Sequence, residues 1–305
     1  MKRKLFALIL AVMAAIAVQA QEQVTIASYN VRVLNGGDEA KGEVWARRCK
    51  AICDQMNFVS PDALGTQEVT YQQLTDMQKL LDRYGCIGVG RDDGKQGGEF
   101  MAIFYNKERL ELLRHDTFWL SETPDKVSRG WDAVCNRVCT WGEFRDKRTK
   151  KRFFYFNTHL DHRGKVAQQE SAKLILNKIS EIAKGRAAVL TGDFNVSPKS
   201  DTFAAFVNSG QLKDCCANAR YCFAECGTFQ DYDPYRRPAD RIDHVLVTPN
   251  VAVDGFAVLT DGYWVKNDAK PQTLIVNGAE IVVNGGKWVR HNPSDHYPVV
   301  AKLRF

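Results

Sequence analysis

Six short polar segments contain the residue types that hydrolysis of a phosphoester requires. They occupy positions 28–32, 67–68, 157–160, 192–195, 241–244 and 294–298. Such a reaction needs a cation to neutralise charge on the phosphate oxygens, a base to activate water, and donors to hold the transition state. Nearly every segment lies at the end of a β-rich run, where a rigid sheet can aim a side chain. The segments therefore indicate a candidate hydrolytic site.

Three residues are candidate metal ligands: Asn30, Glu68 and Asp295. Each offers a carboxamide or carboxylate oxygen. Oxygen ligands suit the hard cations Mg²⁺ and Mn²⁺, which keep several waters and bind the substrate phosphate directly. We therefore expect Mg²⁺, or Mn²⁺ in its place, as the cofactor.

The remaining polar residues supply a base and phosphate donors. A histidine acts as a general base near neutral pH when a carboxylate fixes its tautomer, and His296 with Asp243 is predicted to form that pair. Asp193 and Asn195 follow one strand and are predicted to orient the attacking water and the phosphate. His159, at the end of another strand, is predicted to be a cation-capable donor to the phosphate or the leaving group.

Each of these residues also has a simpler interpretation. A Gly-Asp-x-Asn sequence after a strand is often only a turn, because these residues favour turn conformations. His159 alone is typical of a surface histidine, and Glu68 alone of a solvated strand end. Three further histidines are assigned to the surface: His115, His162 and His291. The ordered set of segments, and no single one of them, favours chemistry.

The elements that position these residues are of α/β type. Short β-rich runs alternate irregularly with helical stretches, and helices are predicted from Val44 to about Asn57 and from Gly164 to Lys184. Several strands follow one another without a helix, which predicts antiparallel pairing, and Asn277-Gly278 predicts a hairpin turn. The pattern predicts stacked mixed sheets flanked by helices in one domain, residues 24–305.

The first twenty residues predict export. Lys2, Arg3 and Lys4 form a basic region, residues 5–18 are apolar, and cleavage is expected after Ala20. The alternative is a membrane anchor, but the apolar run is shorter than the roughly 20 residues that a bilayer span needs. Residues 1–20 are therefore predicted to be a signal peptide, and the mature protein to be periplasmic or secreted, without a stable membrane span.

Charge and cysteine content narrow the function. Loss of Lys2, Arg3 and Lys4 with the leader lowers the formal charge from +6 to +3, so the strongly basic footprint of a nucleic-acid-binding protein is absent. The nine cysteines are an odd number, and four of them lie within residues 215–226. A disulfide is plausible there, and a zinc site is the alternative, although no CxxC spacing supports it. No protein partner is implied.

In order and spacing, the polar segments resemble the endonuclease/exonuclease/phosphatase superfamily of metal-dependent phosphoesterases. The strongest matches are GDFN at 192–195 and SDHYPV at 294–299, while QE at 67–68, NTHL at 157–160 and RIDHV at 241–245 fall in the required gaps. The resemblance covers nearly the whole predicted mature chain. It implies a four-layer α/β/β/α sandwich of two mixed β-sheets flanked by helices, with the site at one edge of the sheets.

The resemblance also implies roles for single residues. Metal binding is implied for Asn30 and Glu68, with Asp295 as a further carboxylate on the metal side. The other implied roles belong to the orienting pair Asp193 and Asn195, the dyad Asp243 and His296, and the phosphate-contacting His159.

Four further residues are weaker candidates for the substrate phosphate. Tyr105 falls where relatives often place a phosphate-contacting tyrosine. Segments 119–124, 130–133 and 137–141 resemble a bacterial branch related to deadenylases and small phosphodiesterases, which places Asn136 or Arg137 near the phosphate. Arg241 belongs to the best basic patch, with the nearby arginines at 236 and 237. Arg32 stands where several DNA-repair members carry an acidic residue, which argues against abasic-site activity.

Three functions remain open: a hydrolase of small or lipid-linked phosphoesters outside the cytoplasm, a secreted nuclease that degrades DNA or RNA, and an inactive binding protein on the same fold. The third is weakest, because every expected catalytic position is filled. A nuclease should present a basic groove, which the charge of +3 disfavours. Residues 263–265 are either a lipid-contacting loop or a packed hairpin base. The sequence therefore favours the first function, a phosphodiesterase or phosphomonoesterase that uses water activated by the His–Asp pair.

Overall fold

The computed structural model describes residues 23–224, 226–266, 272–276, 279–283 and 288–305. The predicted signal peptide and the predicted turn at Asn277-Gly278 lie outside these residues. The described helices are α1 (Gly36–Ala40), α2 (Trp45–Val59), α3 (Tyr71–Leu80), α4 (Lys165–Ala183), α5 (Asp201–Asn208) and α6 (Cys215–Asn218). None of the helices in this part of the chain is long and apolar enough to span a bilayer.

Most of the described strands belong to two sheets. The strands are, in chain order, β1 (Gln23–Asn30), β2 (Ala63–Gln67), β3 (Tyr84–Ile87), β4 (Ile103–Asn106), β5 (Leu110–Trp119), β6 (Val138–Asp146), β7 (Arg152–His159), β8 (Ala188–Asp193), β9 (Lys213–Asp214), β10 (Tyr221–Phe223), β11 (Asp243–Val247), β12 (Ala252–Val258), β13 (Tyr263–Lys266), β14 (Gln272–Val276), β15 (Ala279–Val283), β16 (Trp288–His291) and β17 (Val299–Arg304).

Both large sheets are mixed, as the sequence predicts. The seven-stranded sheet has the order β10-β12-β17-β1-β2-β4-β3, and the six-stranded sheet has the order β5-β6-β7-β8-β11-β9. The pairs β1/β2, β10/β12 and β7/β8 are parallel, and the other pairs of these sheets are antiparallel. The antiparallel pairs β13/β16 and β14/β15 form separate ribbons.

Three apolar layers confirm the four-layer α/β/β/α sandwich. The middle layer lies between the sheets and includes Ile26, Phe153 and Val189. Helices α2 and α3 cover the outer face of the seven-stranded sheet through residues such as Met56, and α4 and α5 cover the six-stranded sheet through residues such as Ile179. Central strands are therefore buried on both faces, which explains why β2 is buried throughout its length instead of alternating.

A buried amide joins the two sheets directly behind the strand ends. Asn157 of β7 donates from Nδ2 to the backbone oxygens of Thr66 (2.9 Å) and Ala102 (3.0 Å), and its Oδ1 accepts from Gln67 Nε2 at 2.7 Å. Gly65 permits this approach, because a Cβ there would lie 2.5 Å from Asn157 Oδ1. The contact fixes the relative position of the two sheets, on which the geometry of their shared edge depends.

The candidate lipid-contacting segment 263–265 lies in β13. Tyr263 stacks on His291 with ring centroids 5.7 Å apart, so this side chain is packed. Trp264 is 57% exposed. One face of the segment is therefore packed, as expected for a hairpin base, and the other face carries the exposed side chain of Trp264.

Candidate active site

Strand register brings the predicted residues to one edge of the sandwich. Asn30 lies opposite Gln67 where β1 and β2 end. In the second sheet, Asp193 lies opposite both His159 and Asp243. The segment that carries Asp295 and His296 enters the same edge just before β17 begins at residue 299. These residues come from positions between 30 and 296 of the sequence, and strand pairing makes them neighbours.

Three residues at this edge have left-handed backbone conformations. Arg32, Glu68 and Asn195 have φ values of 60°, 62° and 53°. Non-glycine residues rarely adopt this region, and such positions concentrate at functional sites. Each lies one or two residues beyond a strand, so the sharp change in direction turns the side chains of the strand-end segments toward a common centre.

His296 and Asp243 form the predicted pair. His296 Nδ1 lies 2.8 Å from Asp243 Oδ2, and both side chains are buried. The other ring nitrogen, Nε2, lies 3.7 Å from Asp193 Oδ2. Burial on its own would lower the pKa of His296, but the charges of Asp243 and Asp193 outweigh this effect and raise the pKa well above its usual value. In this state His296 is held as a cation with a fixed orientation.

The metal-side residues form a second group around the Asn30 amide. Asn30 Nδ2 donates to Glu68 Oε1 at 2.9 Å and to Asp193 Oδ2 at 3.0 Å. Asp295 Oδ2 lies 3.4 Å from Arg32 Nη1. Burial raises the pKa of Asp193 to about 7 and that of Asp295 to about 6. Several carboxylates are thus buried close together at an energetic cost that a cation would relieve.

The donor set fits a divalent cation. Ligand atoms of Glu68, His159 and Asp193 lie within 4.8 Å of one another, as do those of Asp193, Asp243 and His296. Asp243 Oδ1 is buried and has no hydrogen-bond partner among the described residues. Carboxylate oxygens dominate both groups, which is the donor type that hard cations prefer. When bound, such a cation would neutralise charge on the phosphate and disfavour the proton on His296.

Burial holds His159 in its neutral form. Its Nε2 lies 2.9 Å from Asn195 Nδ2 and 3.4 Å from Asp193 Oδ2. Burial, reinforced by the positive charges of Arg137 and Arg91, lowers the pKa of His159 well below its usual value. His159 is therefore a neutral imidazole at pH 7. Because Asn195 donates to Nε2, the remaining ring proton is on Nδ1, which has no partner among the described residues.

These groups surround a cavity of about 380 Å³. Phe229 and Ile242 form part of its apolar wall. Several polar lining residues were not predicted from sequence: Arg91, Glu99, Cys135 and His162. His162 is exposed, as assigned from the sequence, and it also lines the cavity, where its Nδ1 lies 3.1 Å from Arg137 Nη2. The one sequence signal for the 90–99 segment is its glycines at 90, 94, 97 and 98, which indicate a loop.

Arg137 lines the cavity. Its side chain is only 4% exposed, and its Nε lies 3.3 Å from Asp161 Oδ2. Nη1 is buried and has no partner among the described residues. A buried guanidinium with an unused N–H group beside His159 is suited to hold a phosphate oxygen.

Tyr105 and Arg241 do not reach the cavity, so these predictions are corrected. Tyr105 lies opposite Ala63, at the start of β2, and its ring packs against Phe144 with centroids 5.3 Å apart. It is therefore at the end of the strand remote from Glu68. Arg241 Nη2 donates to Asp214 Oδ2 at 2.7 Å and the side chain is buried, which removes it from the predicted basic patch.

Asn136 lies outside the cavity lining as well. Its Nδ2 donates to Asp92 Oδ1 at 3.1 Å and to the Arg91 carbonyl at 3.4 Å. Its contacts therefore support the 90–99 loop, and not the phosphate as predicted.

The predicted disulfide region contains close sulfurs. Cys216 Sγ and Cys222 Sγ lie 3.8 Å apart as thiols. Among the described residues, two groups of side chains are close enough to hold a metal ion, and neither group contains a cysteine. The structure therefore gives no support to the zinc alternative for this region.

Arg48 is a buried arginine that sequence inspection missed. It is 1% exposed. Its Nη1 donates to the Val31 carbonyl at 2.8 Å and to the Pro293 carbonyl at 3.2 Å. One side chain of α2 thus joins the segment after Asn30 to the segment before Asp295.

The four-layer fold and the buried His–Asp pair beside clustered carboxylates define a metal-dependent phosphoesterase. Residues 27–296 match the Endonuclease/Exonuclease/phosphatase family. The chain belongs to this family, whose members are divalent-metal-dependent hydrolases of phosphoester bonds.

The chain is similar in sequence to individual proteins that include a phosphatase and a probable exonuclease. It is 42% identical to the solved mannosyl-6-phosphatase of Bacteroides thetaiotaomicron VPI-5482, with a TM-score of 0.85 over 92% of this chain and 100% of that one. An uncharacterized protein of Acanthamoeba polyphaga mimivirus is 28% identical over 51% of this chain. A probable RNA exonuclease of Saccharomyces cerevisiae is 23% identical over 53% of it. The chain spans 60% and 34% of the lengths of these two curated relatives.

Proposed function

We propose that this protein is an exported, Mg²⁺-dependent phosphomonoesterase that releases inorganic phosphate from a sugar phosphate of the mannosyl-6-phosphate type. The observation that carries the proposal is the unused, buried N–H group of Arg137 at the cavity wall. A phosphomonoester carries a charge of about −1.5 to −2 at pH 7. A phosphodiester has one fewer charged oxygen, so a fixed guanidinium favours the monoester.

Similarity and cavity size support the same substrate class. The 42% identical structure is that of a mannosyl-6-phosphatase with the same fold. The cavity of about 380 Å³ is of the size that holds a small molecule or one sugar residue. The sequence predicts a small or lipid-linked phosphoester as substrate, and we propose that this substrate is a sugar phosphate.

The roles proposed for the protein side chains follow from their positions. Water activation is assigned to the His296–Asp243 pair, with Asp193 as the neighbouring proton acceptor, because its pKa of about 7 suits exchange at neutral pH. The phosphate oxygens are assigned to Arg137 and Asn195. His159 is assigned as a neutral donor near the same oxygens.

A nuclease is the second candidate, and its support is the similarity to a probable RNA exonuclease. Nucleic-acid binding draws most of its affinity from several phosphate contacts at a basic surface. Arg236 and Arg237 are exposed, but Arg241 is neutralised by Asp214, so the predicted basic patch is reduced. The structure therefore favours the phosphomonoesterase.

Phosphate release by the purified protein tests the proposal. The panel is mannose 6-phosphate, a methyl mannoside 6-phosphate, bis-p-nitrophenyl phosphate, sphingomyelin, RNA and plasmid DNA, each with Mg²⁺ and with Mn²⁺, and each repeated with His296→Ala. Turnover of the sugar phosphates, lost in the variant, is the expected result. Cleavage of nucleic acid with inert sugar phosphates would replace the proposal by the nuclease.

Export is proposed from residues 1–20 alone. Mass spectrometry of the protein recovered from its native cells should show an N-terminus at Gln21. Recovery of a chain that retains Met1 to Ala20 would contradict cleavage at this site.

A further inference from the structure

An ion pair in the cavity has no place in the proposed chemistry at phosphorus. Arg91 Nη1 donates to Glu99 Oε2 at 2.7 Å, and Arg91 Nη2 donates to Glu99 Oε1 at 3.0 Å. The side chains are 11% and 17% exposed and line the same cavity as His159 and Asn195. A negatively charged carboxylate such as Glu99 repels a phosphate, so the pair faces some other part of a substrate.

The backbone holds this pair rigidly beside the metal-side residues. Arg91 N donates to the Glu99 carbonyl at 3.1 Å, and Phe100 N donates to the Val69 carbonyl at 2.7 Å, one residue beyond Glu68. The Arg91 carbonyl accepts from Trp119 Nε1 at 2.7 Å. The pair is therefore tied to the strand end that carries a proposed metal ligand.

Arg91 and Glu99 retain hydrogen-bonding capacity at the cavity. Arg91 Nε is buried and has no partner among the described residues. Each Glu99 oxygen accepts one hydrogen bond from Arg91, which leaves lone pairs for further donors. Burial raises the pKa of Glu99, an effect that Arg91 opposes. Hydroxyl donors from a ligand would stabilise the charged carboxylate.

We propose that Arg91 and Glu99 bind adjacent hydroxyl groups of the leaving alcohol, so that the site selects phosphates of sugars and other polyols. Adjacent hydroxyls can donate to a carboxylate and accept from a guanidinium at the same time. A site that hydrogen-bonds substrate hydroxyls discriminates strongly against analogues that lack them. This inference rests on the proposed phosphomonoesterase function.

A comparison of two substrates in matched variants tests the inference. Glu99→Gln should lower kcat/KM for mannose 6-phosphate about tenfold to hundredfold, because a charged hydrogen bond to the substrate is lost. The kcat/KM for p-nitrophenyl phosphate, which has no adjacent hydroxyls, should change less than about threefold. Competitive inhibition by free mannose should weaken in parallel. Glu111→Gln, which alters an Arg–Glu pair outside the cavity, should leave all three measurements unchanged.

The outcomes separate this inference from the function on which it rests. Equal losses on both substrates in Glu99→Gln would show that the pair only supports the fold, and would overturn the inference alone. Arg91→Lys provides a second variant, expected to show the same selective loss, should Glu99→Gln fold poorly. A wild-type protein without activity on any monoester would overturn the proposed function first, and this inference with it.

Discussion

Asn30 Nδ2 donates to Asp193 Oδ2 at 3.0 Å and so connects the end of β1 in one sheet with the end of β8 in the other. The same amide nitrogen donates to Glu68 Oε1. The candidate metal site is therefore assembled from both sheets, and its geometry depends on how the sheets are held together. Substitutions that loosen this junction should affect the cation and the water-activating group together.

Asn30→Ala should weaken Mg²⁺ binding about tenfold to hundredfold, because Glu68 and Asp193 lose their shared donor and the cation loses a proposed oxygen ligand. Calorimetric titration of the protein with Mg²⁺ measures this directly. Unchanged Mg²⁺ affinity in a folded variant would contradict the placement of the cation beside Asn30.

Removal of divalent cations should abolish hydrolysis of every substrate, because the carboxylates of Glu68, Asp193 and Asp295 in the cavity would otherwise repel a phosphate. The measurement is turnover after dialysis against EDTA, followed by addition of Mg²⁺ or Mn²⁺. Recovery of activity on addition of metal is expected. Full activity in EDTA would exclude the proposed metal mechanism.

Asp243→Asn should lower kcat about 10²- to 10⁴-fold, because His296 would lose the carboxylate that orients its ring. Asp240→Asn is the matched control, since this exposed residue lies only three positions earlier and outside the cavity lining. Steady-state kinetics and a thermal melt of both variants distinguish lost chemistry from lost folding. Equal activities would remove Asp243 from the proposed pair.

A pH-dependent contribution to stability is expected from the buried Arg109–Asp146 pair. Asp146 accepts from Arg109 Nε and Nη2, both at 2.8 Å. Burial alone would raise the pKa of Asp146, but the hydrogen bonds from Arg109 and its neighbours lower it. Because the folded-state pKa lies below the unfolded value of about 3.9, the stabilisation is present above that pH and is lost as pH falls through the folded-state value.

Asp146→Asn should therefore lower the free energy of unfolding by about 1.5–3 kcal/mol at pH 7, since it removes the carboxylate that accepts two charge-assisted hydrogen bonds from the buried Arg109 side chain. The difference from wild type should shrink below about pH 4. Urea denaturation at a series of pH values measures both quantities. A difference that stays constant down to pH 3 would show that the charge of Asp146 is not what stabilises the fold.

Residues at strand ends could be predicted from the sequence because their position depends on local patterns. A β-rich run followed by a polar segment predicts where Asp193 and Asn195 lie, and the order of the segments predicts that His296 joins them. The protonation states of the residues at the site could not be predicted from the sequence. The charge of His159 depends on burial and on Arg137 and Arg91, which only the folded chain brings near it.

The predictions for Arg241 and Tyr105 were wrong because each position depends on contacts with residues far away in the sequence. Arg241 looked like an exposed basic residue, but its partner Asp214 lies 27 positions earlier, at the end of β9. Tyr105 looked like a strand-end residue, but β4 runs antiparallel to β2, which carries it away from Glu68. Such pairings cannot be predicted from the composition of the chain or from the spacing of its motifs.

Arg48 is expected to position the two segments of the site instead of contacting substrate. Arg48→Met should leave the Val31 and Pro293 carbonyls without their donor, at a cost of about 1–3 kcal/mol for each buried group. The segments that carry Asn30 and Asp295 would then lose their common anchor. We expect Mg²⁺ affinity and kcat to fall about tenfold or more in the folded variant, and Arg48→Lys to recover part of each.

Met56→Ala provides the control for lost stability. Met56 is fully buried on the same helix but packs in the apolar layer away from the site, and its truncation should cost about 2–5 kcal/mol. If both variants lose similar stability and only Arg48→Met loses Mg²⁺ affinity, Arg48 positions the metal-side residues. If both keep wild-type Mg²⁺ affinity at a temperature where they are folded, Arg48 contributes to stability alone, and α2 has no direct part in shaping the site.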